Sequence, residues 1–229
     1  MLFRSASAPN LTRRASDAVI FTDARSVAPW TLPSTRTVLT GRQPEDWEEA
    51  KKLPEILGER GWATGALVGN VYLSTNFEMA NGWGEHGCVN WPLAEVSVHR
   101  ALQYMERHQD QDTLLMLHFM DMHLPYKEPP AYRHLFVGAD PDYLPSVFLR
   151  PTLLQSAGGH KAELRSYLMG RYDQNLRYID DMLEPLWQAI GKDAIVVFFA
   201  DHGEEFFDHG DLEHGHTLYD ELIRVPMMM

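Results

Sequence analysis

Two kinds of apolar pattern run along this chain. Residues 63–68, 113–119 and 194–200 are short and almost continuously apolar, and 18–22 is a weaker version of the same. Such runs predict strands buried on both faces. Elsewhere apolar residues recur at intervals of three and four, which keeps one stripe of a helix apolar. Residues 93–108 follow that rule. So do Leu164, Leu168, Tyr172, Leu176, Ile179, Leu183, Leu186 and Ile190, which predict one long helix bent at Pro185 and closed by Gly191. A short helix is predicted over 9–16. Another is predicted within 31–41, where Pro33 suits the first helical position and Gly41 the residue just past the end. Residues 45–60 carry Trp47, Ala50, Leu53 and Leu57 on one face, with Pro54 placed to kink the helix. Apolar strands alternating with helices predict an α/β fold: a mostly parallel sheet with helices on both faces. The Pro- and Gly-containing stretches 81–92 and 127–159 read as long loops, which in such folds roof the active site.

Composition narrows the function classes. At 229 residues the chain can bury a full core, and 45% hydrophobic with 11% aromatic content argues against disorder. A formal net charge of −12 sets nucleic acid aside as a partner, because phosphate backbones call for excess Lys and Arg. A local cationic site for an anionic substrate stays open, since a bound metal reverses the field around it. The one cysteine, Cys88, excludes an intrachain disulfide and a zinc site built from several thiolates, and reads as a small buried hydrophobe. No run reaches the roughly 18 apolar residues of a membrane span. The first nine residues lack the apolar core of a secretory signal.

Three segments could carry chemistry. The apolar run 194–200 leads directly into Asp201-His202-Gly203-Glu204, and His214-Gly215-His216 follows. Loops at the carboxyl ends of buried strands form the crevice of an open α/β sheet. Carboxylate oxygen plus imidazole nitrogen suits zinc and similar divalent ions. Gly203 and Gly215 would allow close backbone approach, and the competing reading is a charged loop with incidental histidines. Glu204, Glu205, Asp208, Asp211 and Glu213 add negative potential, most of it expected to be solvated. In the second segment, Thr31 stands at the start of a predicted helix. There its hydroxyl is either an N-cap or a nucleophile favoured by backbone N–H groups and the helix dipole. The third is His118-Phe-Met-Asp121-Met-His123-Leu-Pro-Tyr126. Alternation along an extended chain would turn Asp121 and His123 to one side. His123 reads as ligand, proton donor, substrate clamp or structural histidine, and His118 as core.

Together these segments resemble the sulfatase branch of the alkaline phosphatase superfamily. Residues 9–41 look like that family's nucleophile region and Phe119–Tyr126 like its middle histidine motif. Tyr172-Asp followed by Arg177-Tyr-Ile-Asp-Asp181 is similar to its long helix. Asp201-His-Gly-Glu, His214-Gly-His-Thr-Leu-Tyr-Asp-Glu and Arg224-Val-Pro226 are similar to its metal loop. The resemblance implies a crevice where a divalent metal (zinc, manganese or calcium) activates a nucleophile. Carried over position by position, Thr31 falls on the nucleophile, itself a metal ligand, and Asp201 and His202 fall on metal ligands. His123 falls on the substrate-contacting histidine. His214 falls on a histidine that lies near metal or leaving group in phosphoethanolamine-transferase relatives. Asn70 and His216 are expected to bind substrate.

The sequence also departs from the family. Sulfatases carry Cys or Ser at the nucleophile position, with Pro two on and Arg four on, for conversion to formylglycine. Here the residues are Thr31, Pro33 and Thr35, with Arg36 one place late, so no formylglycine is expected. Threonine is the nucleophile of phosphodiesterase and phosphotransferase relatives. The sulfatase Lys-x-His element has no match near Asn70-Val-Tyr-Leu73. The family's opening strand, which ends in Asp, is also unmatched. Residues 1–229 are therefore expected to form a single, incomplete catalytic domain lacking its first strand. The expected function is metal-dependent hydrolysis or transfer of a phosphate or sulfate ester through Thr31, with phosphoryl chemistry favoured. The substrate would be a small-molecule, lipid or glycan ester. The alternative is a catalytically inactive relative that binds an anion or partner without turnover. An extracytoplasmic or membrane-associated setting is implied by the family resemblance alone.

Overall fold

The computed structural model describes residues 6–48, 50–146 and 148–229. Residues 1–5 of the opening segment, Glu49 in the helix expected over 45–60, and Val147 in the expected loop 127–159 lie outside them. In chain order the elements are α1 (Pro9–Ala15), α2 (Thr31–Thr40), α3 (Leu53–Gly58), β1 (Ala63–Val68), β2 (Glu85–Cys88), α4 (Ala94–Arg107) and β3 (Thr113–His118). There follow α5 (Arg150–Ala157), α6 (Lys161–Met182), α7 (Glu184–Ala189), β4 (Phe198–Phe199), β5 (Glu205–Phe206), β6 (Leu212–Glu213), α8 (Asp220–Ile223) and β7 (Met227–Met228). They belong to two compact units. One is Ser26–Met120 with Met182–Ala194. The other is the chain up to Arg25, Asp121–Asp181 and Ile195–Met229.

The unit containing Ser26–Met120 is organised by a three-stranded parallel sheet in the order β2-β1-β3. Central β1 is buried along most of its length, as its unbroken apolar character predicts. Ala66 and Val68 pack with Leu39, Leu73 and Met79, and Cys88 and Met116 lie against them. Cys88, expected to be buried, is partly buried there. Helix α4 buries Ala94, Ser97, Val98, Ala101 and Tyr104, the stripe that the three-and-four spacing requires, against β1 and β3. Strand β2 falls inside the expected loop 81–92. Its polar sequence Glu85-His-Gly-Cys88 shows no strand pattern, and its conformation comes from backbone pairing with β1.

Prolines place helix boundaries differently from expectation. Residues 45–60 do not form one kinked helix. A short 3-10 turn covers Pro44–Asp46, and α3 begins at Leu53 with Pro54 in its first turn. A proline there loses no intrahelical bond, because the first N–H groups of a helix have no partner in it. Likewise α6 ends at Met182, and a separate α7 starts with Pro185 in its first turn.

In the other unit, the first half of α6 buries Leu164, Tyr167 and Leu168 against Leu124, Tyr126, Leu153, Phe206, Phe207 and Leu212. Helix α1 lacks a cap from its own N-cap residue. Buried Asp180 supplies one from α6, accepting from the backbone N–H groups of Asn10 at 2.8 Å and Leu11 at 2.7 Å. The apolar run 194–200 gives a strand only at Phe198–Phe199, paired antiparallel with β7. Backbone bonds from Val19 to Met229 and from Phe21 to Met227 bring the 18–22 segment to β7 as well. The pairing here is antiparallel, against the expected parallel sheet, because the partner of 198–199 is the short strand at 227–228. Ile195 remains 83% exposed. The expected loop 127–159 contains α5.

Candidate metal centre and active site

Within the unit containing Ser26–Met120, Thr31 is the first residue of α2 rather than its N-cap. The N-cap is Trp30, and no side chain caps the helix. Pro33, expected at the first position, is the third residue, and Gly41 closes the helix with φ 64°. Thr31 is 3% exposed, and its Oγ1 accepts a hydrogen bond from Asn70 Nδ2 at 3.2 Å. Asn70 is buried too, and its Oδ1 accepts from the Tyr72 backbone at 2.9 Å. The turn after β1 therefore fixes the Asn70 amide with one end held and the other aimed at the Thr31 hydroxyl.

The other unit holds His123, His202, His214 and His216. Asp201 and His202 follow β4, and backbone bonds from Gly203 to Leu222 (2.7 Å) and from Glu204 to Glu221 (3.0 Å) fasten this turn against α8. A Cβ at Gly203 would sit 1.9 Å from the Glu221 carbonyl oxygen, so this position requires glycine. Gly215 has open space around it; its φ of 87° is what demands glycine there. Pairing of β5 with β6 folds the loop back and brings His214 beside His202, with ring centroids 4.0 Å apart. His123 meets His214 edge-on at 4.8 Å. Asp121 and His123 do not alternate along an extended strand as expected, because residues 121–125 form a tight turn.

The hydrogen bonds fix which nitrogen of each ring is available. A carbonyl oxygen can only accept, so Nδ1 of His202, 2.8 Å from Gly203 O, carries the proton. The same holds for His123 Nδ1 against Leu124 O. In the neutral rings both Nε2 atoms then carry a lone pair. His214 Nδ1 lies 3.0 Å from Glu204 Oε1. Burial pushes the pKa values of His123 and His214 down, favouring the neutral imidazole.

Sequence reasoning missed Glu204 and Glu205, which it placed among solvated carboxylates. The Glu204 side chain is 8% exposed, and burial raises its pKa to about 7. Glu205 is 1% exposed. Its Oε1 accepts from the backbone N–H groups of His209 (2.9 Å) and Asp211 (2.8 Å), and its Oε2 meets His216 Nε2 at 2.9 Å. His216, expected to bind substrate, is thus engaged in holding the loop. The available signal was local: Phe206-Phe207 directly follows these glutamates, and an apolar pair pulls its neighbours inward.

Two donors of the expected metal site fit a divalent ion. Asp201 Oδ2 and His202 Nε2 are 3.7 Å apart, close to the roughly 3.3 Å that separates two ligands of a tetrahedral zinc with bonds of about 2.0 Å. The bond from His202 Nδ1 to Gly203 is the outer contact that typically orients a ligating histidine. Among the described residues, the group of three whose donor atoms lie within 4.8 Å of one another is Glu205, His209 and Glu221. There Glu205 is already saturated by the loop, and His209 Nδ1 pairs with Glu221.

The comparisons agree with this architecture. A sulfatase family model matches residues 3–229. No curated protein matches the chain in sequence. The C-terminal periplasmic domain of EcEptC from Escherichia coli, solved in complex with zinc, superposes with a TM-score of 0.70 at 15% identity, over 97% of this chain and 65% of that one. The soluble domain of lipooligosaccharide phosphoethanolamine transferase A from Neisseria meningitidis gives 0.70 at 16% identity, over 97% and 68%. The phosphonate monoester hydrolase of Agrobacterium radiobacter gives 0.72 at 15%, over 96% and 62%. The chain therefore spans about two thirds of the length of these structures. Among the described residues, no helix is long and apolar enough to cross a membrane. The fold is α/β with a small parallel sheet, matching alkaline-phosphatase-like structures, and the chain belongs to the sulfatase family of the alkaline phosphatase superfamily.

Proposed function

We propose that this chain is the core of a metal-dependent hydrolase or transferase that cleaves a phosphate ester through Thr31. The observation that carries the reading is the Thr31 hydroxyl, buried at the first turn of a helix and accepting from Asn70 instead of capping. Asp201 and His202 are the residues that would hold a divalent cation, zinc, manganese or calcium. When bound, it lowers the pKa of a hydroxyl and polarises an ester oxygen. Thr31 Oγ1 gives up its hydroxyl proton to solvent water and attacks phosphorus, the bond from phosphorus to the leaving oxygen breaks, and that oxygen takes a proton from His123 or His214. Because burial favours the neutral form of both rings, the donor must first have taken up a second ring proton, which in His123 falls on Nε2. Water or an acceptor alcohol then releases the phosphoryl group from Thr31. Asn70 steadies the attacking oxygen, and His123 contacts the substrate oxygens.

Phosphorus is favoured over sulfur because threonine offers no route to the formylglycine aldehyde. Two of the similar structures are named for phosphorus chemistry, a phosphoethanolamine transferase and a phosphonate monoester hydrolase. The substrate class is a small-molecule, lipid or glycan ester. The decisive experiment incubates the metal-loaded protein with bis-para-nitrophenyl phosphate and, separately, para-nitrophenyl sulfate. Release of nitrophenol from the phosphate, a phosphorylated peptide containing Thr31, and loss of both in Thr31→Ala are expected. Full turnover by Thr31→Ala would reject the reading.

One observation favours a second reading, binding of an anion or partner without turnover. Asp201 and His202 belong to no group of three converging donor atoms among the described residues. A protein that retains no stoichiometric metal after dialysis would support that reading.

A further inference from the structure

In the unit with the parallel sheet, a cavity of about 290 Å³ opens beside α4, lined by Gly65, Leu67, Glu85, Gly87, Arg100 and Tyr104 among others. Two glycines shape it. The register pairs Gly65 with Glu85 and Leu67 with Gly87, so both glycines stand on the sheet face that α4 covers. A Cβ at Gly65 would lie 2.5 Å from the Tyr104 ring, and one at Gly87 would lie 2.6 Å from the Arg100 guanidinium. The ring and the guanidinium therefore rest directly on bare backbone.

The charges around the cavity do not cancel. Glu85 is engaged by Arg107 at 2.6 Å and His108 at 2.8 Å. Burial lowers the pKa of His86, also in the lining, which favours its neutral form. Arg100 makes no ion pair or hydrogen bond among the described residues. The Tyr104 hydroxyl is buried with no hydrogen-bond partner. Burial also raises its pKa, so it remains a proton donor.

We propose that this cavity binds a small carboxylate. A guanidinium takes a carboxylate through two parallel N–H donors. A single uncompensated positive charge matches a monoanion and would leave a phosphate dianion under-neutralised in a chain of net charge −12. Leu67 meets the apolar part of the molecule. The volume lies near the lower end of ligand pockets, about 300 Å³, which calls for a small molecule. No lining residue is among those assigned to ester cleavage, so the proposal stands independently of that activity.

The test is titration of the complete chain with benzoate, following the Gly87 amide and Arg100 guanidinium signals by NMR. Saturable shifts with a Kd on the order of 1 mM are expected. In Arg100→Gln the Kd should rise by about tenfold or more. Gly87→Ala, which pushes the flexible end of Arg100 aside while keeping the fold, should weaken binding similarly, with thermal melting as the control for folding. Inorganic phosphate at matched ionic strength should not saturate these signals. Absence of saturable benzoate binding, unchanged affinity in Arg100→Gln, or tighter binding of phosphate than of benzoate would each overturn the proposal.

Discussion

Glu204 Oε1 lies 3.0 Å from Nδ1 of His214, and the carboxyl is buried. Burial is the main reason its pKa rises to about 7 from an ordinary value of 4.5. A carboxyl whose folded pKa is raised contributes stability that is complete below the unfolded value and is lost as pH rises through the folded one. In metal-free protein, the wild type should therefore lose roughly 3 kcal/mol relative to Glu204→Gln between about pH 4 and pH 8. His123 and His214, with lowered values, act oppositely. Their contribution is present above about 6.5 and lost as pH falls. Urea unfolding of both proteins under chelation across this range is the check, and parallel stability curves would refute the assignment to Glu204.

Gly203→Ala should disrupt the turn after Asp201-His202, because its Cβ would collide with backbone: the Glu221 carbonyl stands 1.9 Å away. Backbone must move, and overpacking of this kind costs about 1–3 kcal/mol. Gly58→Ala, with nothing within 4 Å, is the control and should melt at or above the wild-type temperature. Thermal melts of the two variants separate a loop defect from a general effect of adding a methyl group.

Metal binding and loop structure should separate by residue. Asp201→Ala and His202→Ala should each abolish stoichiometric zinc in elemental analysis after dialysis, since each removes one of two facing donors. His216→Ala should retain the metal and instead lose about 1–3 kcal/mol, because it leaves buried Glu205 short of a partner. Equal metal loss in all three would show that His216 belongs to the metal centre.

How far the sequence revealed this molecule depends on the range of the interactions. Strands β1 and β3 and helix α4 were legible because their burial pattern is local. Strand β2 was not, because Glu85-His-Gly-Cys88 becomes a strand only through its pairing with β1. The opposite error came at 194–200. Its seven-residue apolar run predicted a full strand, yet the strand formed is limited to Phe198–Phe199. Pro54 and Pro185 read as kinks, but each marks a helix start. Of the candidate site, Asp201, His202 and His214 could be picked out as a motif. The roles of Glu204 and Glu205 could not, because neither a buried carboxyl nor a loop clamp shows in residue type.

Asn70→Asp tests the link to Thr31. Aspartate preserves the acceptor for the Tyr72 N–H but removes the donor to Thr31 Oγ1. Loss of about 1–2 kcal/mol of stabilisation corresponds to roughly a tenfold or greater fall in kcat/KM. The fall should be seen in kcat, and thermal melting measures separately the cost of placing a carboxylate at this buried position. A change confined to KM would place Asn70 on the substrate instead.

Arg171 and Glu128 form a buried ion pair, with Nε 2.5 Å from Oε1 and side chains 9% and 0% exposed. Asn175 and Gln174 also donate to Glu128, and Arg171 reaches the Tyr126 carbonyl at 3.2 Å, three residues from His123. Truncating one partner strands a buried charge, so Arg171→Ala should cost about 3–5 kcal/mol. Replacing both, Arg171→Met with Glu128→Met, removes the stranded charge and should recover most of that loss. The double variant still lacks the hold on Tyr126, so His123 is less firmly placed. Denaturant melts and turnover of the two variants should therefore diverge, with stability largely restored in the double variant and turnover still reduced. Recovery of both together would show that the network serves stability alone.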